Sequence, residues 1–238
     1  AIRLSSCYTI AAVNPRQGKK MMRSTSFNRL LMCVLAFVAN QATAAVPPAP
    51  KLPADAYFLM DATTGQVLVD HNGDLSLPPA SLTKIMTSYV LAEEVDAGRA
   101  SLDDMIKVSR NAWSQNPTFK GSSLMWIEPG KPVSLADLER GVVISSGNDA
   151  SVAVAEHLAG TESSFVDVMN QLAAELGLDN TVYRNPHGLP HPEHRTTARD
   201  LATLSVALIN GHPEHYKIYK EQSFTYNGIK QYNRNSLL

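Results

Sequence analysis

"PPASLTKIMTSYV", residues 78–90, decides how this chain folds. Pro78 and Pro79 stop an extended segment, and after them Leu82, Ile85, Met86, Tyr89 and Val90 recur at helical spacing. The pattern predicts a helix over about 80–97, ending near Gly98. Apolar residues cover most of its circumference, which implies a buried helix. At its start Ser81 and Lys84 stand three apart, on one face, with Cβ atoms about 5–6 Å apart.

A serine hydroxyl is a weak nucleophile until a base takes its proton, and a lysine is such a base only when uncharged. With an ordinary pKa near 10.4, neutral Lys84 at pH 7 would cost about 4.6 kcal/mol. Burial, a helix N-terminus and a neighbouring cation all lower that cost. Alone, Ser-x-x-Lys is a weak signal that also fits a serine near a helix start and a surface lysine.

Outward from this helix, "AYFLMD" (56–61), a Thr-Thr-Gly turn and "QVLVD" (66–70) read as a β-hairpin closed by "HNGD". Downstream, a second helix starts at Ser134 with Asp137 three residues on. A third follows Asn148 and Asp149 and stops at Gly160, a fourth covers roughly 163–176 and a fifth roughly 197–210. One strand is predicted around 224–226, with no clear element after it. Helices gathered after a hairpin, rather than alternating with strands, give an α+β class.

The 238 residues, 44% hydrophobic, suffice for one sizeable core. Residues 1–44 hold six Lys/Arg and no Asp or Glu, so residues 45–238 carry 15 basic and 22 acidic side chains. From Met21 or Met22, a basic start, ten apolar residues (30–39) and Ala42-Thr43-Ala44 form the three-part pattern of a secretory signal peptide, with cleavage expected after Ala44. Residues 1–20 precede that start and read as a non-native upstream extension; residues 45–53 are a proline-rich lead-in to a folded domain over 54–238. Cys7 and Cys33 both precede the cleavage point, leaving the mature chain without thiol chemistry. An exported, acidic domain offers no basic face for nucleic acid.

Sixty-two residues after Lys84, "ISSGNDAS" sets Ser146, Gly147 and Asn148 at a corner between helices. Alone it also fits a turn followed by an Asn N-cap. Together, the two motifs belong to a known catalytic set. With "YFLMDATTGQVL", "GSSLMWIEPG", "HGL", "TARD" and "NRNSLL" in order, the chain resembles the serine D-alanyl-D-alanine carboxypeptidases, the low-molecular-mass penicillin-binding proteins. The resemblance covers nearly all of residues 54–238. It implies the serine β-lactamase/transpeptidase-like fold, a helical cluster packed on an antiparallel sheet, and a peptidoglycan stem peptide ending in D-Ala-D-Ala as substrate. It implies Ser81 as the acylated nucleophile, Lys84 as its base, Ser146 as the proton donor to the departing amine, Asn148 as a substrate-binding amide and His187 as a lining residue. β-Lactams are expected to esterify Ser81, and no metal or organic cofactor is implied. The location implied is the periplasm, peripheral to the inner membrane.

The family's third motif, K-T-G, has no match among the 238 residues. In relatives it lies on a strand after "NRN" and supplies an oxyanion N–H and a cation near the base. The expectation is therefore a truncated fragment that lacks later sheet strands, labels poorly with β-lactams and lacks the C-terminal segment by which full-length relatives meet the inner-membrane surface. Two other functions compete. A class A β-lactamase would need a glutamate to activate deacylating water, and Glu156, Glu162 and Glu175 all fall in helix-like stretches. A non-catalytic truncated envelope protein would bind without turnover. His187, His191 and His194 fit no known zinc spacing. Met125 and Trp126 read as core, and Arg199 and Asp200 as an ion pair or cap.

Overall fold

The computed structural model describes residues 48–238; the expected upstream extension and signal peptide lie outside them. Strands β1 (Tyr57–Met60) and β2 (Val67–His71) form the expected antiparallel hairpin, with Tyr57 opposite His71 and a bulge between Leu59 and Met60. The Asp61 carboxylate accepts the N–H groups of Thr63 and Thr64 at 2.9 and 2.7 Å and so fixes the turn.

The decisive helix begins differently from its prediction. Residues Ala80–Thr83 form a 3-10 turn, and the α-helix proper, α1, is Lys84–Asp96. Ala80 sits at φ +48°, which no helical start requires, and Gly188 presses on it from a neighbouring loop. A Cβ on Gly188 would stand 1.8 Å from the Ala80 carbonyl oxygen, so only glycine permits this approach. As the all-round apolar pattern implies, α1 is buried continuously from Met86 to Ala92.

Around it lie α2 (Leu135–Val143), α3 (Asn148–Ala159), α4 (Glu162–Glu175) and α5 (Ala198–Gly211), each within two residues of its predicted span. Ser134, Thr161 and Thr197 cap three of them by accepting N–H groups three residues on. Met86, Leu91, Leu138, Val154, Phe165 and Met169 meet in the core between these helices. A short helix α6 (Pro213–Tyr216) follows α5, which also packs on β1.

The antiparallel structure differs from the single sheet anticipated. It consists, among the described residues, of three separate two-stranded pairs. β3 (Met105–Lys107) with β4 (Pro132–Ser134) was not predicted, because in each three-residue strand only the central side chain is buried. β5 (Ser223–Tyr226) matches the predicted strand, and β6 (Ile229–Tyr232) pairs with it through an Asn227-Gly228 turn. The α+β class holds. No helix among the described residues is long and apolar enough to cross a membrane.

Candidate active site

The 3-10 turn places Ser81 and Lys84 one above the other, since side chains three apart eclipse at three residues per turn. Ser81 is exposed at the mouth of the cleft, whereas Lys84 is only 4% exposed. Ser81, Lys84 and Ser146 line one cavity of about 190 Å³. On its other side Ser81 borders a second, of about 250 Å³, with Ser123, Asn148, His187 and Arg234.

The Lys84 Nζ donates to Asn148 Oδ1 and to the carbonyl oxygen of His187, each at 2.7 Å. Neither acceptor carries a full negative charge. Burial, aided by the Arg234 guanidinium and opposed by Asp149, brings the lysine from 10.5 down to about 7. The cost of a neutral lysine at pH 7 is thereby largely removed.

Asn148 is not the N-cap that its turn suggested. Gly147 occupies that position without a side-chain cap, and Asn148 is the first helical residue, with its carbonyl committed to Lys84. The Nδ2 amide is the group a ligand would meet. Ser146 holds φ +57°, a conformation a non-glycine residue seldom adopts. Its Oγ is buried without a hydrogen-bond partner among the described residues. An unpaired buried hydroxyl on a strained residue beside Ser81 makes Ser146 a candidate for chemistry.

Two participants escaped the sequence reading. The Asp149 carboxylate, fully buried, accepts the N–H groups of Met125, Trp126, Ile127 and Ala150 and so ties the 122–127 loop to the start of α3. Asn148 N–H adds a bond to the Ser123 carbonyl at 2.9 Å. Arg234 comes from just beyond β6 and contacts Ser123 Oγ, bringing a cation to the cleft from 150 residues away in sequence. No local pattern announces Arg234, whereas an aspartate directly after Ser-Gly-Asn at a helix start is a signal for a backbone-binding carboxylate.

Met125 is fully buried as expected, but Trp126 is 53% exposed and stands at φ +70°, because Asp149 pulls its backbone inward and turns its ring out. Arg199 pairs with Asp74 and Asp70 at 2.7 and 2.6 Å rather than with Asp200, whose carboxylate accepts from the Asn180 N–H and the Thr181 hydroxyl. The three histidines of the 185–195 loop go separate ways. His187 offers Lys84 its carbonyl. His194 bonds Thr83 Oγ1 at 2.9 Å, and burial holds it down near 4. His191 lines a larger hollow of about 480 Å³ behind Ala80 that contains neither Ser81 nor Lys84.

The chain that carries this site has counterparts among known proteins. Residues 40–238 match the D-alanyl-D-alanine carboxypeptidase family. The chain belongs to that family. It is 48% identical over 209 residues to D-alanyl-D-alanine carboxypeptidase DacC of Escherichia coli, covering 87% of this chain and 51% of that protein. It is 45% identical to DacA of the same organism over 81% of this chain and 48% of that one. Among solved structures, penicillin binding protein 6B of E. coli superposes with a TM-score of 0.78 at 47% identity, covering 82% of this chain and 62% of that one. The ampicillin-bound form of penicillin-binding protein D2 of Listeria monocytogenes superposes at 0.68 with 29% identity, covering 80% and 76%. The chain spans about half the length of the curated relatives it matches.

Proposed function

We propose that this chain carries the acylation machinery of a serine-type D-Ala-D-Ala carboxypeptidase. The observation that carries the reading is Lys84, buried, brought to about 7 and sharing one cavity with Ser81 and Ser146. Neutral Lys84 takes the Ser81 hydroxyl proton as Oγ attacks the carbonyl carbon of the penultimate D-Ala. A tetrahedral oxyanion forms, with the Ser81 N–H at the open end of the 3-10 turn as one donor. The C–N bond then breaks as Ser146 gives its hydroxyl proton to the departing amine and recovers one from protonated Lys84, which shares its cavity, and terminal D-Ala leaves with neutral Lys84 restored. Asn148 holds the peptide backbone through its Nδ2 amide, with the His187 loop along the cleft wall. Water finally attacks the Ser81 ester and regenerates the hydroxyl.

A β-lactam enters the same sequence as far as the ester, in keeping with a relative solved with ampicillin bound. Peptidoglycan as substrate puts the site outside the cytoplasm. We further assign residues 21–44 as the export signal and the periplasm as the working compartment, peripheral to the inner membrane, with the folded catalytic unit starting at about residue 54.

The test is incubation with a fluorescent penicillin followed by mass spectrometry of the Ser81 peptide. A Ser81 ester that forms slowly, as the poor labelling anticipated above requires, and that Ser81→Ala abolishes is expected; label that survives this substitution, or none at all, overturns the reading. Rapid catalytic hydrolysis of penicillin would favour a β-lactamase instead.

A further inference from the structure

His187 meets Lys84 with its backbone, while its ring is only 5% exposed. The ring Nδ1 accepts the Leu189 N–H at 3.1 Å, so the imidazole proton belongs on Nε2. That nitrogen lies 3.5 Å from Oε1 of Glu162, the first residue of α4, and the ring stands edge-on to Phe119 at 6.0 Å. Asn111 Nδ2 lies 3.5 Å from the other Glu162 oxygen and 3.1 Å from Glu156. Hydrogen bonding from His187 is the main influence holding the Glu162 carboxyl below its usual range, so it remains an anion while Lys84 titrates.

The loop that presents the carbonyl is otherwise tied mostly to itself. Asn185 Oδ1 accepts the N–H groups of His187 and Gly188, and Asn185 Nδ2 donates to Leu189 O. Thr87 Oγ1 donates to Pro186 O at 2.6 Å, which anchors the loop to α1 on the side of the base. Glu162 supplies the opposing anchor, from α4.

We propose that Glu162 is a positioning residue for acylation: its carboxylate clamps the His187 ring so that the His187 carbonyl holds the Lys84 amine in line with Ser81. This rests on the reading of Ser81 and Lys84 above. A lysine amine displaced by an ångström loses much of its value as a base, since rates fall steeply with misplacement. The charged groups facing Lys84 are Asp149 and Arg234, and those facing the His187 ring are Glu162 and, further off, His194. Among the described residues, Glu162 is the one anion placed against the His187 ring.

The experiment compares Glu162→Ala and Glu162→Gln with wild type in the full chain, after thermal melts confirm that each folds. Glu162→Ala is expected to slow Ser81 acylation by roughly tenfold and to move the acid limb of its pH profile. Glu162→Gln keeps an oxygen acceptor and is expected to recover most of the rate. Long-range ¹H–¹⁵N spectra should show the Nε2–H tautomer of His187 in all three proteins, fixed by the Leu189 N–H, with the Nε2 resonance shifted and broadened only in Glu162→Ala. Unchanged rate and pH profile in Glu162→Ala overturn the clamp, as does an unchanged ring spectrum. If wild type itself forms no Ser81 ester, the functional reading fails on its own. The clamp is then decided by the ring spectrum and by NMR titration of the Lys84 Nζ, whose midpoint must differ between wild type and Glu162→Ala.

Discussion

The two ends of α1 each bury a titratable side chain, and the protein treats them in opposite ways. At the N-terminal end Lys84 is pushed down to about 7, chiefly by burial. Near the C-terminal end His215, from α6, is equally inaccessible, yet its pKa is raised, chiefly by its hydrogen bond to Glu139 and against the effect of burial. Lys84 is packed more deeply, and the two ends differ further in the state of the nearest carboxylate. Glu139, 1% exposed, accepts the His215 Nδ1–H at 2.5 Å, and Asp96 at the end of α1 lies 3.6 Å from the other ring nitrogen. Asp149, the anion near Lys84, is already spent on four backbone N–H groups. A buried cation with a free counter-ion keeps its proton, and one whose counter-ion is engaged elsewhere becomes a base.

The most forceful way to break this contrast is Lys84→Met, which fills similar volume without a titrating group. Acylation of Ser81 by a penicillin is expected to fall roughly thousandfold, within the range for loss of a general base. Stability should move the other way. At pH 6 the buried lysine costs on the order of 4 kcal/mol through its depressed pKa. Leaving Asn148 Oδ1 and His187 O without their donor returns about 1 kcal/mol each. Urea unfolding at pH 6 should therefore find Lys84→Met about 2 kcal/mol more stable. A variant less stable than wild type would mean that Lys84 is not held at a cost.

Much of this was legible in the chain because the signals are local. The caps at Ser134, Thr161 and Thr197 and the glycines after α1 and α3 delimit helices by chemistry within one turn. Ser81 and Lys84 were legible for the same reason, as a pair within one turn, and Ser146 and Asn148 stood out through the motif they share with a known family. What stayed hidden depends on distant partners. The 3-10 start of the helix answers to Gly188, more than 100 residues on, and the cation beside Lys84 is Arg234 rather than a neighbour in sequence. The turn at Asn227-Gly228 was a missed local signal: Asn-Gly between apolar residues marks a two-residue hairpin, and it would have supplied β6. The His215 cluster had no signal, since Glu93, Asp96, Glu139, His212 and His215 come together only when α1, α2 and α6 pack.

That cluster gives the next test. Glu139→Ala removes the counter-ion and leaves His215 buried against Asp96 alone, and breaking a buried pair from one side is expected to cost about 3 kcal/mol in urea unfolding at pH 6. Glu139→Gln, which still accepts from Nδ1, should lose less. If both variants unfold within about 0.5 kcal/mol of wild type, a range ordinary for surface positions, the pair does not hold the end of α1 and the contrast collapses to burial alone.

The smallest expected effect is the sharpest, because the two ends must then differ in sign. Folded His215 binds its proton more tightly than the unfolded chain does, so its contribution to stability is complete below about pH 6.5 and is lost as pH rises through the raised folded value. Folded Lys84 binds its proton less tightly. From about pH 7 towards 10.5 the unfolded chain holds a proton that the folded one has released, and stability gains with pH. In wild type the two slopes oppose each other just above neutrality. His215→Asn deletes the falling one, so its stability should climb more steeply between pH 7 and 9 than that of wild type. Lys84→Met deletes the rising one, and its stability should decline over the same interval. Parallel curves for all three proteins would show that neither group changes its proton affinity on folding, and the assignment of one end of α1 to chemistry and the other to stability would lose its physical basis.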